Sequence, residues 1–207
     1  MTSHVAKGQA KNPVFNVPNQ LTSARLVLAV ILFVFLGMGY YTISLVLFII
    51  AASTDWIDGY WARKYGQVTV LGRILDPFAD KMIICGTFIF LGAVADSGVA
   101  AWMAVVIMGR ELLVTALRSF IEERGHDFSA QTAGKWKMLL QCLAAGASML
   151  KLACNDSTSP LANLLANLSV PPEWLTFATV ALVWIAVALT VYSGIGYIVA
   201  AVRLMRQ

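Results

Sequence analysis

The sequence predicts an all-α, polytopic membrane protein with six transmembrane helices. Of its 207 residues, 59% are hydrophobic and only 13% are charged, whereas about a quarter of the residues in soluble domains are charged. Six apolar stretches come close to the roughly 20 residues that a helix needs to cross a bilayer. Lysines and arginines gather at the ends of these stretches, as they do in membrane proteins with a defined orientation.

The six predicted helices follow one another along the chain. They cover residues 21–41, 42–63, 73–95, 98–119, 134–154 and 174–202. The breaks between them fall at glycines or in polar stretches that favour turns, at residues 37–39, 66, 96–98, 125 and 155–172. Pro77 is expected early in the third helix, where its missing N–H does little harm. We therefore expect an N-terminal cytoplasmic segment, residues 1–20, and one six-helix domain, residues 21–207.

Loop charge predicts the orientation of these helices. With the N-terminus in the cytoplasm, Lys151 lies on the far side, and ten other basic residues lie on or near the cytoplasmic side. These are Lys7, Lys11, Arg63, Lys64, Arg73, Arg118, Arg124, Lys135, Arg203 and Arg206. Both termini are thus predicted inside, in a bacterial inner membrane. The net charge of +4 is accounted for by helix orientation and lipid headgroups, so no nucleic acid is expected as a partner.

Four aspartates stand at fixed spacings in this apolar chain. Asp55 and Asp58 share one stripe of the second helix, and Asp76 and Asp80 share one stripe of the third, because residues three or four apart lie on one helix face. The short connection makes these helices antiparallel neighbours, so the carboxylates are expected to converge on one cavity at the cytoplasmic side. Carboxylates beside hydrocarbon mark a functional site by default.

Clustered carboxylates call for divalent cations. Carboxylates so near one another cannot all stay ionised without counter-charge. An all-oxygen ligand set favours Mg²⁺ or Mn²⁺ over zinc. Two such ions can clamp the attacking and leaving oxygens of a phosphoryl displacement. Gly59 and Ala62 leave room for a nucleotide against the second helix, and Arg63 offers planar donors to a phosphate.

A structural explanation of the aspartates is the alternative. Asp76, just before Pro77, has the character of a helix N-cap, and Asp58 could form an ordinary ion pair with Arg63. Together these account for two of the four aspartates and leave the other two unexplained, so the sequence favours a functional site.

The pattern D-x2-D-G-x2-A-R-x8-G-x3-D-x3-D, from Asp55 to Asp80, resembles the signature of the CDP-alcohol phosphatidyltransferase family. The resemblance implies six transmembrane helices, a homodimer, two divalent cations, and transfer of a phosphatidyl group from a CDP-linked donor to an alcohol with release of CMP. It implies that the metal ligands are Asp55, Asp58, Asp76 and Asp80, with Asp80 also the base. It implies a CDP-diacylglycerol site formed by Asn19, Thr22, Asp58, Gly59, Ala62, Arg63, Gly72 and Arg73.

Further segments are similar to the branch of this family whose acceptor is glycerol 3-phosphate. They are residues 16–25, 72–81, 109–112, 116–118 and 134–137. This similarity implies that the phosphate of the acceptor lies near Arg110, Arg118, Lys135 and Lys137. From the residues alone, Arg110 and Glu111 can equally pair with partners elsewhere in the bundle. Lys81 can balance the metal site or extend to the interface.

The main hypothesis is transfer of a phosphatidyl group from CDP-diacylglycerol to glycerol 3-phosphate. Within the same fold, the acceptor could instead be phosphatidylglycerol, inositol phosphate or serine. A hypothesis of another class is an intramembrane cation carrier, which would give the glycines, alanine and arginine of the pattern no role. The small residues of the segment 193–196 could allow close helix contact in a dimer.

The four carboxylates lead to a first prediction. Release of CMP from CDP-diacylglycerol should require Mg²⁺ or Mn²⁺, because no other counter-charge suffices for the four aspartates. Excess chelator should bring the rate to background, and added Mg²⁺ should restore it. Full activity in excess chelator would refute the metal hypothesis.

Overall fold

The computed structural model describes residues 17–65, 70–123, 132–156, 159–167 and 171–205. Within these ranges the side chains are described except at 17–19, 21, 55–65, 70–74, 76, 122, 132–135, 165–167 and 205. The described elements are all helices, so the all-α class is confirmed. Their bounds are α1 Val17–Gly37, α2 Tyr41–Tyr65, α3 Val70–Ala93, α4 Ala101–Glu123, α5 Thr132–Asn155, α6 Pro160–Asn167 and α7 Pro172–Met205.

Each predicted transmembrane stretch overlaps one of the long helices α1–α5 and α7. The eight-residue helix α6 lies within the connection that was expected to be a loop. In the described part of the chain, two helical stretches are long and apolar enough to cross a bilayer, Trp136–Asn155 and Pro172–Leu204. The apolar stretches Thr22–Gly37 and Tyr41–Thr54 are shorter. The predicted breaks at Gly66 and Gly125 lie outside the described residues.

The outer surface of the bundle is rich in large apolar side chains. Val105, Phe177 and Tyr192 are each at least 70% exposed, and many valines, isoleucines and leucines on the same outward faces are about half exposed. Soluble monomers rarely leave contiguous apolar surface of this kind in water. The chain is therefore a membrane protein, with lipid as the natural solvent for these faces.

The turn between α1 and α2 explains why α1 ends at Gly37. Gly39 has a φ of 83°, and the amides of Gly39 and Tyr40 donate to the carbonyls of Leu36 and Phe35 at 3.2 and 3.0 Å. This is the Schellman arrangement, which satisfies carbonyls at a helix end. The rings of Phe35 and Tyr40 pack edge to face, with centroids 6.0 Å apart, and add the apolar contact that accompanies this motif.

A second tight turn joins α3 to α4. Asp96 and Gly98 have φ angles of 60° and 81°, in the left-handed region that aspartate and glycine tolerate better than most residues. The hydroxyl of Ser148 on α5 donates to the carbonyl of Ser97 at 2.6 Å. The polar turn predicted at 96–98 is therefore present, and α5 holds it in place.

Helix α5 is the centre of the bundle. It packs against α2, α3, α6 and α7, and α4 packs against α3 and α7. Helix α1 packs extensively against both α2 and α3, which contact each other only slightly among the described residues. The core between these helices is apolar and includes Leu32, Leu36, Phe88, Leu91, Ile107, Met149 and Val183.

Glycine allows α1 and α3 to approach closely. A Cβ atom on Gly86 would lie 2.2 Å from the Cζ atom of Phe33, so no larger residue fits there unless the ring moves. The Phe33 ring in turn stacks on Phe90, with centroids 5.4 Å apart. This close seam between α1 and α3 continues toward the polar end of α3.

The interpretation of Asp76 as an N-cap is wrong, because α3 begins at Val70 and continues through that position. Pro77 is correspondingly inside the helix and not in its first turn. An interior proline removes one hydrogen bond and crowds the carbonyl four residues earlier, which here belongs to Arg73. Helix capping therefore does not account for Asp76.

The α1–α2 turn leads to a second prediction. Gly39→Ala should lower thermal stability in detergent, because a left-handed backbone conformation costs a residue with a Cβ atom roughly 1–2 kcal/mol. Gly109→Ala is the matched control: a Cβ atom there meets nothing within 4 Å, and alanine is the better helix former. Equal melting temperatures for Gly39→Ala and the wild type would contradict the assigned turn.

Candidate active site

Asp80 is held by an arginine from another helix. The Nη1 atom of Arg25 on α1 donates to Oδ1 of Asp80 on α3 at 2.9 Å. The arginine side chain is 1% exposed and the aspartate side chain 29% exposed. The positive group is thus enclosed by the bundle, while the carboxylate can still be reached from outside.

Asp80 lines a cavity of about 180 Å³ between α3, α4 and α5. The lining residues are Pro77, Asp80, Lys81, Ile84, Glu111, Lys137, Met138 and Gln141. The cavity therefore combines carboxylates, ammonium groups and an amide with an apolar wall. Lys81, for which the sequence left two roles open, lines this cavity beside Asp80.

The opposite wall carries a second set of paired charges. The Nζ atom of Lys137 on α5 forms a hydrogen-bonded ion pair with Oε1 of Glu111 on α4. The Nη1 atom of Arg110 approaches the same oxygen at 3.5 Å. Glu111 thus neutralises two cations inside the bundle, where an unpaired charge would be costly.

Arg110 extends from this cluster to α7. Its Nη2 atom donates to the hydroxyl of Ser193 at 3.1 Å, and its guanidinium lies 5.3 Å from the ring centroid of Tyr197, within cation–π range. A Cβ atom on Gly194 would lie 3.1 Å from Cγ of Arg110. The small residue at 194 therefore makes room for an arginine of the same chain.

Gln141 also joins the cavity wall to α7. It is 1% exposed, and its Nε2 atom donates to the hydroxyl of Thr190 at 3.0 Å. That hydroxyl in turn donates to the carbonyl of Ala186 at 2.6 Å. These hydrogen-bonded polar groups connect α5 to α7. They keep the side chain of Gln141 at the cavity wall in one orientation.

Of the four predicted metal ligands, Asp80 is the one whose side chain the structure describes. Asp55 and Asp58 lie on α2 and Asp76 lies on α3, so their helical spacing places each pair on a common face. Their side chains are outside the described residues, and convergence of the four carboxylates stays a prediction. Among the described side chains, no three acidic, histidine or cysteine residues form a metal-binding group.

The donor chemistry nevertheless fits a hard divalent cation. The four predicted ligands are all carboxylates, which suit Mg²⁺ or Mn²⁺. Asp80, the member whose side chain is described, lies at a cavity wall and is part-exposed. Such a position lets a carboxylate meet an incoming ion without unfolding the bundle.

Among the residues predicted to bind the CDP-diacylglycerol donor, one has a described side chain. Thr22 is 1% exposed on α1, one helical turn before Arg25 and on the same face. The other predicted donor-site residues have side chains outside the described set: Asn19, Asp58, Gly59, Ala62, Arg63, Gly72 and Arg73. Their roles stay predictions.

The predicted acceptor residues are spread over two environments. Lys137 lines the cavity, whereas Arg110 points toward α7. The Nε atom of Arg118 is buried without a hydrogen-bond partner in the described part of the chain. The side chain of Lys135 is not among those described. The structure therefore brings Lys137, and not the whole predicted set, to the cavity that holds Asp80.

Sequence analysis did not assign Arg25, Glu111 or Gln141 to the site. Each had a detectable signal, since each is a polar residue within a predicted transmembrane stretch, and such residues mark functional positions. Arg25 also follows Thr22 by three residues, which places it on the face of α1 that was already expected to contact the donor.

Over most of its length, this chain matches one family of enzymes. The family model described as CDP-alcohol phosphatidyltransferase matches residues 15–192. The chain belongs to this family, as the spacing of the aspartates indicated.

Several similar proteins bear one name, CDP-diacylglycerol–glycerol-3-phosphate 3-phosphatidyltransferase. The protein of Bacillus subtilis strain 168 is 37% identical over 198 residues, which cover 88% of this chain and 93% of the relative. The proteins of Haemophilus influenzae and Salmonella choleraesuis are 30% and 33% identical. These matches cover 89% and 90% of this chain, and 92% and 95% of the two relatives.

The charge cluster leads to a third prediction. Glu111→Gln should destabilise the protein more than Lys137→Met. It removes the carboxylate that pairs with both Lys137 and Arg110, whereas Lys137→Met leaves Glu111 paired with Arg110. Breaking a buried pair costs roughly 3–5 kcal/mol. Thermal unfolding in detergent measures the difference.

The double variant Glu111→Gln/Lys137→Met is the control for this prediction. It strands one cation and not two, so it should be more stable than Glu111→Gln alone. Equal melting temperatures for the two single variants would contradict the described cluster.

Proposed function

We propose that this enzyme transfers the phosphatidyl group of CDP-diacylglycerol to glycerol 3-phosphate, giving phosphatidylglycerophosphate and CMP. The observation that carries the proposal is the cavity in which Asp80 meets Lys81 and Lys137. A group able to take a proton and cations able to hold a phosphate are then within one small space. The names of the similar proteins support the same donor and acceptor.

The size of the cavity favours a small polar acceptor. A volume of about 180 Å³ corresponds to roughly six water molecules at about 30 Å³ each. This is room for a compact phosphorylated alcohol. The diacylglycerol part of the donor would lie along the apolar outer surface, where lipid chains are already the solvent.

In the proposed reaction, Asp80 takes the proton from the terminal hydroxyl of glycerol 3-phosphate. The resulting oxygen attacks the phosphorus that bears diacylglycerol, a new P–O bond forms, and the bond from this phosphorus to the CMP oxygen breaks. CMP leaves with the electron pair of that bond. Positioning and charge stabilisation carry most of the catalysis in phosphoryl transfer.

Lys137 would hold the phosphate of the acceptor. Its ammonium group lies in the cavity lining and is oriented by Glu111, so it can donate to an anion without having to be drawn in from solvent. Lys81 adds a second positive charge beside Asp80. Arg118 and Lys135 are proposed at the same phosphate, and Arg110 would support the pocket from the α7 side.

The proposed cofactor is a pair of Mg²⁺ or Mn²⁺ ions. Asp55, Asp58, Asp76 and Asp80 would hold them. When bound, such ions neutralise charge on the phosphoryl oxygens and on the leaving phosphate. Asn19, Thr22, Gly59, Ala62, Arg63, Gly72 and Arg73 would bind the cytidine diphosphate portion of the donor.

In the membrane, helices α1–α5 and α7 are the six proposed spans. The lysine and arginine distribution supports an inner-membrane orientation with both termini and the active site in the cytoplasm, where glycerol 3-phosphate is soluble. A homodimer is proposed from family membership. Gly194, part of the small-residue segment, contacts Arg110 of its own chain and so lends no support to a dimer contact at that position.

One assay tests the proposed function directly. Purified enzyme is given CDP-diacylglycerol and Mg²⁺ with glycerol 3-phosphate, phosphatidylglycerol, inositol phosphate or serine in parallel, and the lipid product is identified by mass. We expect phosphatidylglycerophosphate and stoichiometric CMP with glycerol 3-phosphate. A faster reaction with another acceptor would reassign the substrate, and no CMP release with any acceptor would reject the proposed reaction.

The role of Asp80 leads to a fourth prediction. Asp80→Asn should reduce kcat by at least the 10²–10⁴-fold typical of a lost general base, with little change in binding of CDP-diacylglycerol. Asp96→Asn is the matched control, since the same chemical change is made at the α3–α4 turn and asparagine tolerates the positive φ of that position. An Asp80→Asn enzyme with half of the normal kcat would exclude the proposed role.

A further inference from the structure

We infer that Arg25 is a positioning residue that holds the carboxylate of Asp80 in its working orientation; this inference rests on the proposed function. Its Nη1 atom donates to Oδ1 of Asp80 at 2.9 Å across the α1–α3 seam. A bond to one carboxylate oxygen restricts rotation of the whole carboxylate group. Arg25 therefore sets the direction in which Asp80 faces the cavity.

Relative to the described cavity, Arg25 lies behind the carboxylate of Asp80. Its side chain is 1% exposed, and the described cavity lining contains Asp80 but not Arg25. A molecule in the cavity therefore touches Asp80 first. The described contact through which Arg25 can influence the reaction is the one with the aspartate.

Stability alone does not account for an arginine at this position. The described seam around the pair is mostly apolar, with Ala29 and Leu32 on α1 and Ala79 and Ile83 on α3 buried beside the polar Thr22. Replacing a buried ion pair by apolar residues of similar volume is often neutral or stabilising. A buried charge whose partner reaches a cavity is better explained by a demand for orientation.

Helix α1 is well placed for this task. It packs against both α2 and α3, the two helices that carry the four aspartates. The close approach at Gly86 and Phe33 fixes α1 against α3 on the same seam. The guanidinium is thus anchored to the helix that contacts both parts of the aspartate pattern.

The test compares Arg25→Met with Arg25→Lys, using folded protein quantified by size-exclusion chromatography. Arg25→Met should lower kcat by about 10²-fold, the cost of misplacing a reacting group by about 1 Å, while KM for both substrates changes less than two-fold. Arg25→Lys keeps the charge and one donor, so it should retain at least a tenth of the wild-type kcat. Arg25→Lys also serves as the test if Arg25→Met does not fold.

Ser148→Ala is the control for a purely structural loss. It removes a buried hydrogen bond between α5 and the α3–α4 turn, away from the cavity. It should lower the melting temperature and leave kcat unchanged at temperatures below unfolding. An Arg25→Met enzyme that behaves like Ser148→Ala would overturn the inference.

A double variant separates action through Asp80 from a general effect. Residues that act as a unit show strongly non-additive losses, so Arg25→Met should cause less than a two-fold further loss in an Asp80→Asn background. An undiminished further loss there would overturn the inference. If the wild-type enzyme gives no product, the proposed function fails and the inference with it. A fully active wild type with a fully active Arg25→Met variant rejects the inference alone.

Discussion

The cost of placing charge beside hydrocarbon is the constraint on which the centre of this structure depends. An ion taken out of water without compensation costs several kcal/mol, even after the protein relaxes around it. The bundle meets this cost by pairing charges between helices. Arg25 and Asp80 join α1 to α3, and Lys137 and Glu111 join α5 to α4. Members of both pairs line one cavity. The charge pairs that make the charges tolerable in the bundle therefore also form the site.

The polar centre also explains how α7 is oriented. Helix α7 is apolar nearly throughout, and such a helix packs in many rotational settings with similar energy. The hydroxyl of Ser193 accepts a hydrogen bond from Arg110, whose guanidinium also lies over the ring of Tyr197. The hydroxyl of Thr190 accepts a hydrogen bond from Gln141. Each of these contacts is satisfied in one rotation of the helix about its axis. Arg110 of α4 and the amide of Gln141 on α5 therefore select the face that α7 turns toward these two helices.

Much of the fold could be predicted because it depends on local properties. Apolar length predicted the six long helices, and Gly39 and Gly98 correctly marked turns. The helix α6 was missed because its eight residues lie among Asn, Ser and Pro residues, which favour loops. The start of α3 was predicted at residue 73, whereas the helix begins three residues earlier, at Val70.

The site was predictable only where its pattern is local in sequence. The aspartates repeat at helical spacing, so their common faces could be inferred from the chain. Arg25 and Asp80 are 55 positions apart, and Glu111 and Lys137 are 26 apart. No local rule states which buried cation meets which carboxylate. That choice follows from the order in which the helices pack, with α3 against α1, α4 and α5.

The interior proline of α3 has a mechanical consequence. Without the N–H of residue 77, the helix lacks the one hydrogen bond that would reach the carbonyl of residue 73, and proline is a position where helices kink. Asp76 and Asp80 lie on either side of Pro77, and Arg25 ties Asp80 to α1. Pro77 itself lines the cavity. The geometry of the helix at this proline thus helps to set where the two aspartates lie relative to each other, beside the space where the acceptor would lie.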